Sequence, residues 1–328
     1  LVDAAEKLAI AARYPDENVF FAVTRTTQNA AIRIACALNL FAVVPSCSGD
    51  ASAASISTAN MAAAVKADPI VVARVMRALA SCHVFDEMGE DLYAHNALSR
   101  AFLVPETLSM FSEIYDMAGK AAHALPDFLA ATGYKNPEDY NNSAFHLGAH
   151  TELGFWEYLE ADDAKLQAFN NGMRSQATVK DFDSSYPFEA ELNRSKLAEG
   201  DVVLVDVGGG RGHALERIKQ RFPEMQGQFV LQDQEAVIKD AVSGGLSSEI
   251  IAQVASFFEP NPVKNARAYF FRRVLHDWSD AVCRTILQNT VVAMAADSKV
   301  LIAEYEVPAV GAPAKLTMQD INMMGLGG

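Results

Sequence analysis

The sequence predicts an α/β protein: a doubly wound, Rossmann-like domain preceded by a mostly helical winged-helix domain. Three observations carry this. Residues 1–110 read as short helices around one small hairpin. From about Tyr186, apolar runs at Val202–Val207, Gln228–Gln232, Ala268–Phe271 and Val300–Ala303 alternate with helical patterns such as Ser279–Ala296. Between the first run and a helical pattern from His213 to Phe222 stands Asp206-Val207-Gly208-Gly209-Gly210-Arg211-Gly212. A strand, a glycine turn and a helix let backbone approach a ligand at the carboxyl ends of a parallel sheet.

The chain has 328 residues, half of them hydrophobic, enough for two cores. Its 27 basic and 41 acidic residues leave a formal charge of −14, which opposes partnership with nucleic acid or an anionic membrane. Cys36, Cys47, Cys82 and Cys283 form no C-x-x-C pair. Neither a metal site nor a disulfide framework is expected, and reduced thiols fit a cytoplasmic protein. No apolar stretch reaches the roughly 20 residues of a membrane span. The chain starts at Leu1, not Met, which leaves room for a lost leader.

In the first part, Thr27–Leu40 is amphipathic, with Ile32, Cys36 and Leu40 on one face. Met61–Val65, a break at Asp68-Pro69 and Ile70–Leu79 have a helix-turn-helix rhythm with Pro at a helix start. Val84–Tyr93 reads as a hairpin turning at Gly89, completing a winged helix. Such a module binds DNA or serves packing and dimerisation. The acidic balance, with only Lys66, Arg74 and Arg77 near the second helix, favours dimerisation. Phe20-Phe21-Ala22-Val23 and Ile32–Val44 are too apolar for a solvated appendage, so a homodimer through residues 1–110 is expected. Residues 105–185 read as helices joined at Pro105, Pro126 and Pro137, with 111–185 a helical linker and pocket wall. Residues 186–328 form the sheet domain.

The glycine spacing is G-x-G-x-G, and His213 stands where a dinucleotide site needs its last glycine. A pyrophosphate needs that helix N-terminus. S-adenosyl-L-methionine (SAM) carries no phosphate, and its ammonium favours a nearby carboxylate such as Asp206. Asp233 closes the second strand 21 residues after Gly212, where a carboxylate accepts ribose hydroxyls. His276 follows the strand Ala268–Phe271, and an imidazole of pKa about 6.5 suits a general base. Glu304, at another strand end, is placed to orient that ring.

In this order the pieces resemble the plant- and fungal-type SAM-dependent O-methyltransferases, nearest the fungal branch acting on secondary metabolites. The resemblance covers nearly the whole chain. It includes Phe169-Asn170-Asn171-Gly172-Met173, the glycine loop, Leu231-Gln232-Asp233, Phe257-Phe258-Glu259-Pro260, His276-Asp277-Trp278, Glu304–Pro308 and Asp320–Met324. It implies His276 as catalytic base and Glu304 as one of two flanking acids. It implies a cofactor site of Asp206, Gly208, Gly209, Gly210, Asp233, Ser256, Phe257 and Arg272. Met173 and Met323 fall at acceptor-pocket positions, and Phe145, His146, Phe155 and Trp156 in the helical wall beside them.

Two departures stand out. Ser256 offers a hydroxyl where relatives often carry an acid. The chain also stops at Gly327-Gly328, where relatives continue with a second catalytic acid and the last strands, so an incomplete C-terminus is expected. The implied reaction moves a methyl group from SAM to a phenol or enol hydroxyl of a small aromatic or polyketide-type substrate, without metal. Some fungal relatives instead use SAM as a fixed charge in dehydrations or pericyclic cyclisations. In that case His123, His146 and His150 would orient a polar substrate. Retention of His276 and Glu304 favours methyl transfer. A non-enzymatic winged-helix regulator fits the acidity and the cofactor elements least.

Overall fold

The computed structural model describes residues 1–46, 55–177, 186–192 and 200–327. The chain forms two compact units, Leu1–Asp116 with Ala164–Ser175, and Met117–Asp163 with Gln176–Gly328. The stretch 111–185 thus contributes to both units. Cys47 lies outside the described residues. Among those residues no helix is long and apolar enough to cross a membrane.

The first unit begins with α1 (Val2–Ala11), α2 (Pro15–Ala37) and α3 (Leu40–Val43). A winged-helix arrangement follows: β1 (Ile56–Ser57), α4 (Thr58–Val65), α5 (Pro69–Ser81), β2 (Phe85–Gly89) and β3 (Leu92–His95). Then come α6 (Ala97–Ala101) and α7 (Pro105–Glu113). The α4 and α5 starts are written in the sequence. Ser57 Oγ accepts from Asn60 N at 3.3 Å, and Asp68 Oδ1 accepts from Ile70 N at 2.7 Å with Pro69 as first helical residue. The three strands are antiparallel in the order β1-β3-β2. The wing turns at Glu90-Asp91 and not at Gly89, which stays in β2 past a register shift; Asp91 takes the left-handed conformation (φ 54°). A short polar side chain tolerates that region better than most residues.

Phe41 centres this core, stacked on Phe85 at 5.2 Å and Phe102 at 4.5 Å, with Leu40, Met61, Val72, Met76 and Leu79 buried around it. His95 is buried there as a neutral ring. Its Nε2 donates to Phe41 O at 3.0 Å, which leaves Nδ1 to accept from the Ser99 hydroxyl at 2.9 Å; burial lowers its pKa. By contrast α1 buries nothing, and α2 exposes Val19, Phe20, Phe21 and Val23.

The second unit opens with α8 (Gly119–Ala131), α9 (Ala144–Ala149) and α10 (Phe155–Glu160). Helix α11 (Asp163–Ala177) is shared between the units. Pro126 does not join two helices; it lies inside α8. The buried neighbours Leu125 and Phe128 keep that helix running, so packing outweighs the lost backbone hydrogen bond.

After α12 (Phe188–Leu192) the chain alternates: β4 (Val202–Val207), α13 (His213–Arg221), β5 (Gln228–Asp233), α14 (Glu235–Ser243), β6 (Ile250–Val254), β7 (Ala268–Arg272), α15 (Asp280–Val291), β8 (Lys299–Ala303) and α16 (Ala314–Leu326). The five described strands are all parallel, in the order β6-β5-β4-β7-β8. Alternation along the strands feeds two layers: Leu204, Leu231 and Phe270 on one face, Val205, Val230, Tyr269 and Phe271 on the other. The order reverses direction between β4 and β7, so their carboxyl ends flank the crevice where such folds take ligands.

Candidate active site

The loop after β4 is shaped by what each glycine meets. Gly208 and Gly210 take positive φ (69° and 61°), which glycine adopts without steric cost. Gly208 N and Gly209 N donate to Gln232 O at 2.9 and 3.1 Å. A Cβ on Gly209 would lie 2.5 Å from the Asp206 carboxyl, whereas one on Gly210 would meet nothing within 4 Å. The loop is therefore closed towards β5 at Gly209 and open at Gly210.

Two acids lie under this loop. Asp233 Oδ2 accepts from Gly210 N and Oδ1 from Gln234 N, both at 2.8 Å, which orients the carboxylate and leaves each oxygen a further lone pair. Burial raises the Asp233 pKa, against the pull of those two hydrogen bonds. Asp206 is 1% exposed and neither carboxyl oxygen has a partner. Burial pushes its pKa up to about 7, opposed by the Arg272 charge. Arg272 ends β7, and burial with the neighbouring Arg273 charge lowers its pKa.

The loop after β6 carries Ser256 and Phe257. Ser256 is exposed, and its Oγ accepts from Phe258 N at 3.2 Å. The Phe257 ring edge would lie 3.7 Å from a Cβ on Gly208. Phe257 O accepts from Asn289 Nδ2 at 3.2 Å.

After β7 the chain bends through Arg273, in the left-handed conformation (φ 56°), into a 3-10 turn, Leu275–Asp277. Glu304, just past β8, receives three donors from this bend: Val274 N at 2.8 Å, Leu275 N at 3.0 Å and His276 Nδ1 at 2.7 Å. A carboxylate only accepts, so Nδ1 carries the proton and the neutral ring presents its lone pair at Nε2. Asp277 Oδ1 lies 3.3 Å from Nε2. Burial opposes the charged ring, but the Glu304 hydrogen bond and the charges of Asp277 and Glu304 outweigh it, and the His276 pKa rises above its ordinary 6.5. Burial pushes Asp277 up to about 6. Cys283 Sγ donates to Leu275 O at 3.2 Å and tightens the same turn.

A helical wall stands beside that turn. Tyr140 meets Trp278 edge-on at 5.2 Å, and Trp156 packs against the cluster that holds Trp278 and Leu275. Phe145 is fully buried, gripped by Phe155 at 5.4 Å and Tyr158 at 5.3 Å; Phe155, Trp156, His146 and Met323 keep partial exposure. Helix α16, carrying Met323, packs on α8, α9 and the His276 turn. His146 Nδ1 accepts from Ser143 N at 3.2 Å, so a neutral ring bears its proton on Nε2, which is buried without a partner. Met173 lies on the part of α11 that belongs to the first unit.

Sequence reasoning gave no role to Asp277, Cys283, Gln232 or Asn261. Asp277 had a signal in the His-Asp-Trp triplet. The contacts of the other three join residues remote along the chain or follow the bend's shape, and no local pattern announces them.

The His276–Glu304 pair has a defined pH window. Raised His276 contributes stability fully below its unfolded value near 6.5 and loses it as pH rises through the folded value. Glu304, held below its ordinary 4.5 by His276 and two backbone N–H groups despite burial, contributes above 4.5 and loses it as pH falls through the folded value. The pair therefore stabilises most between 4.5 and 6.5. Glu304→Gln is expected to lower the His276 pKa, read by NMR titration of the ring, and to flatten stability across that window. An unchanged titration would show that Glu304 does not set the ring's charge.

Residues 133–328 match the O-methyltransferase domain and residues 25–105 the O-methyltransferase dimerisation domain. An O-methyltransferase of Pestalotiopsis microspora is 42% identical over 328 residues, 100% of this chain and 80% of that protein. The crystal structure of OxaC with sinefungin and meleagrin superposes with a TM-score of 0.92 at 27% identity, covering 100% of this chain and 82% of OxaC. LepI in complex with SAM gives 0.89 at 27% identity, covering 99% and 82%. A parallel sheet with its glycine loop, the paired His276 and Glu304, and these matches lead to one conclusion: the chain belongs to the O-methyltransferase family, and its cofactor is SAM.

Proposed function

We propose that the protein methylates a phenol or enol hydroxyl of a small aromatic or polyketide-type metabolite, with His276 as general base. The observation that carries this reading is the Glu304-held ring: Nδ1 donates to Glu304, so the neutral form keeps its lone pair on Nε2, beside Asp277 Oδ1 at 3.3 Å. That pair speaks for proton removal and against a chemistry in which the cofactor serves only as a fixed charge.

The residues fit SAM. Asp206 is an orphaned buried acid suited to a nearby cationic group. Asp233 is oriented by backbone and retains lone pairs for ribose hydroxyls. Gly210 has open space beside it for backbone approach, Phe257 lies by Gly208, Arg272 is close enough to Asp206 to act on its charge, and Ser256 precedes Phe257 in the loop after β6. Bound SAM supplies an electrophilic methyl group on a sulfonium. His276 Nε2 takes the hydroxyl proton as the oxygen becomes the nucleophile. Glu304 holds the ring in the required tautomer and stabilises its charged form, and Asp277 adds to that stabilisation. A phenol with pKa about 10 is a poor nucleophile at neutral pH, so base assistance is worth roughly 10²–10⁴-fold. Phe155, Trp156 and Met323 wall the acceptor, with Phe145 as backing. The buried His146 Nε2–H is a donor left to orient a substrate oxygen.

We also propose a homodimer through residues 1–110. The dimerisation-domain match and the apolar residues left exposed on α1 and α2 support it.

Calorimetry should show SAM and its demethylated product S-adenosylhomocysteine (SAH) binding, with Asp233→Ala weakening both by about 1.5–3 kcal/mol, the scale of hydrogen bonds to a charged group. Equal affinity would remove the ribose role. His276→Gln should bind SAH normally yet transfer methyl roughly 10²–10⁴-fold more slowly, with partial rescue at high pH as solvent supplies phenolate. Intact SAM after turnover of a substrate that is only isomerised or dehydrated would overturn the transfer reading. Light scattering should give twice the chain mass at micromolar concentration; a stable monomer would remove the dimer.

A further inference from the structure

One buried amide pair joins the strand that ends in Asp233 to the loop that carries Ser256 and Phe257. Gln232 is 2% exposed on β5 and Asn261 4% exposed in the loop after β6. Asn261 Oδ1 accepts from Val263 N at 3.0 Å, and a backbone N–H only donates. That fixes the amide: its Nδ2 faces Gln232 and donates to Gln232 Oε1 at 2.8 Å. Gln232 Nε2 must then donate, to Asn261 Oδ1 at 3.1 Å and Gln253 Oε1 at 2.9 Å. Both hydrogens of Gln232 Nε2 and both lone pairs of Asn261 Oδ1 are thereby used, and Gln232 Oε1 and Asn261 Nδ2 each make one bond.

The same Gln232 takes the glycine loop through its backbone, its carbonyl accepting from Gly208 N and Gly209 N. The loop after β6 is pinned at three further points: Ala255 N donates to Asp233 O at 3.0 Å, Asn261 N to Asn289 O at 3.0 Å, and Asn289 Nδ2 to Phe257 O. Gln232 thus holds the glycine loop with its main chain and the later loop with its side chain, while Asp233 joins the same two segments the other way round, its carbonyl taking Ala255 N and its carboxylate Gly210 N.

We propose that Gln232 and Asn261 are positioning residues that lock the 255–263 loop in register with the glycine loop, and so set affinity for the adenosine end of the cofactor. The proposal rests on the assignment of Ser256 and Phe257 to the cofactor. An amide is needed at both positions. A carboxylate at 261 would set an acceptor against Gln232 Oε1, and an apolar side chain would strand that buried oxygen and leave Nε2 with Gln253 alone.

The test uses the full chain, with SAH and 5′-methylthioadenosine, the cofactor's adenosine fragment, as calorimetric probes. Asn261→Ala should weaken both by about tenfold, the scale of one stranded buried polar group. Asn261→Asp keeps the shape and adds a signature that a merely structural role lacks. The protonated carboxyl can donate to Gln232 Oε1 and the ionised one cannot. Its SAH affinity should therefore approach that of the wild type as pH falls and drop as pH rises, beyond whatever Asp206 and Asp233 impose on the wild type. Either variant, folded by circular dichroism, with wild-type affinity across pH overturns the proposal. Asn261→Asp keeps the test decisive should Asn261→Ala not fold. The cofactor assignment fails separately, and takes this proposal with it, if wild type binds no SAH or Asp233→Ala leaves its affinity unchanged.

Discussion

The Glu304 carboxylate is the constraint on which the catalytic corner depends. It sits past the end of one strand and gathers three donors from the bend that follows the neighbouring strand. Two of these are main-chain groups that a tight turn would otherwise leave unpaired, and a buried N–H without a partner is costly. The third fixes the ring's tautomer. One side chain thus stabilises the left-handed bend at Arg273, aims the histidine and decides which nitrogen faces outward. Burial alone would favour a neutral ring; the acids beside it reverse that preference.

The parallel sheet makes this arrangement possible. Every described strand of the second unit ends on the same side, so loops far apart in sequence share one rim. Asp206, Asp233, Arg272 and Glu304 all stand at or next to strand ends. Their charges are tuned by a common circumstance, burial under loops. It raises the acids at 206 and 233 and lowers the base at 272, while direct hydrogen bonds decide the outcome at Glu304.

What the sequence revealed follows from what locality can carry. Val202–Val207 was legible to the residue because both faces of that strand are covered and every position is apolar or the loop's own acid. β6 was not recognised: it is an edge strand whose Ile251 and Val254 stay exposed and whose Gln253 joins the amide network, so no clean pattern marks it. Gly89 drew the wing's turn towards itself because glycine is the default turn residue, yet Asp91 supplied the positive φ. His276 and Glu304 were visible as polar residues at the ends of apolar runs. Gln232 and Asn261 stand 29 residues apart, and their complementarity exists only once a strand and a remote loop meet.

The close approach of Gly209 to Asp206 has a consequence for how such a chain can change through descent. A side chain at 209 would collide with the acid's Cγ and Oδ2 and with Leu231 Cδ1, all at 2.5 Å. Backbone and acid fill one space, so the three positions are sterically coupled. A lineage that trades the acid for a smaller residue frees only part of the volume, and one that first enlarges the glycine meets two obstacles at once. A side chain at 209 is therefore admitted only where Asp206 and Leu231 move aside or are replaced, while Gly210 next door, with open space beside it, is constrained by its backbone conformation.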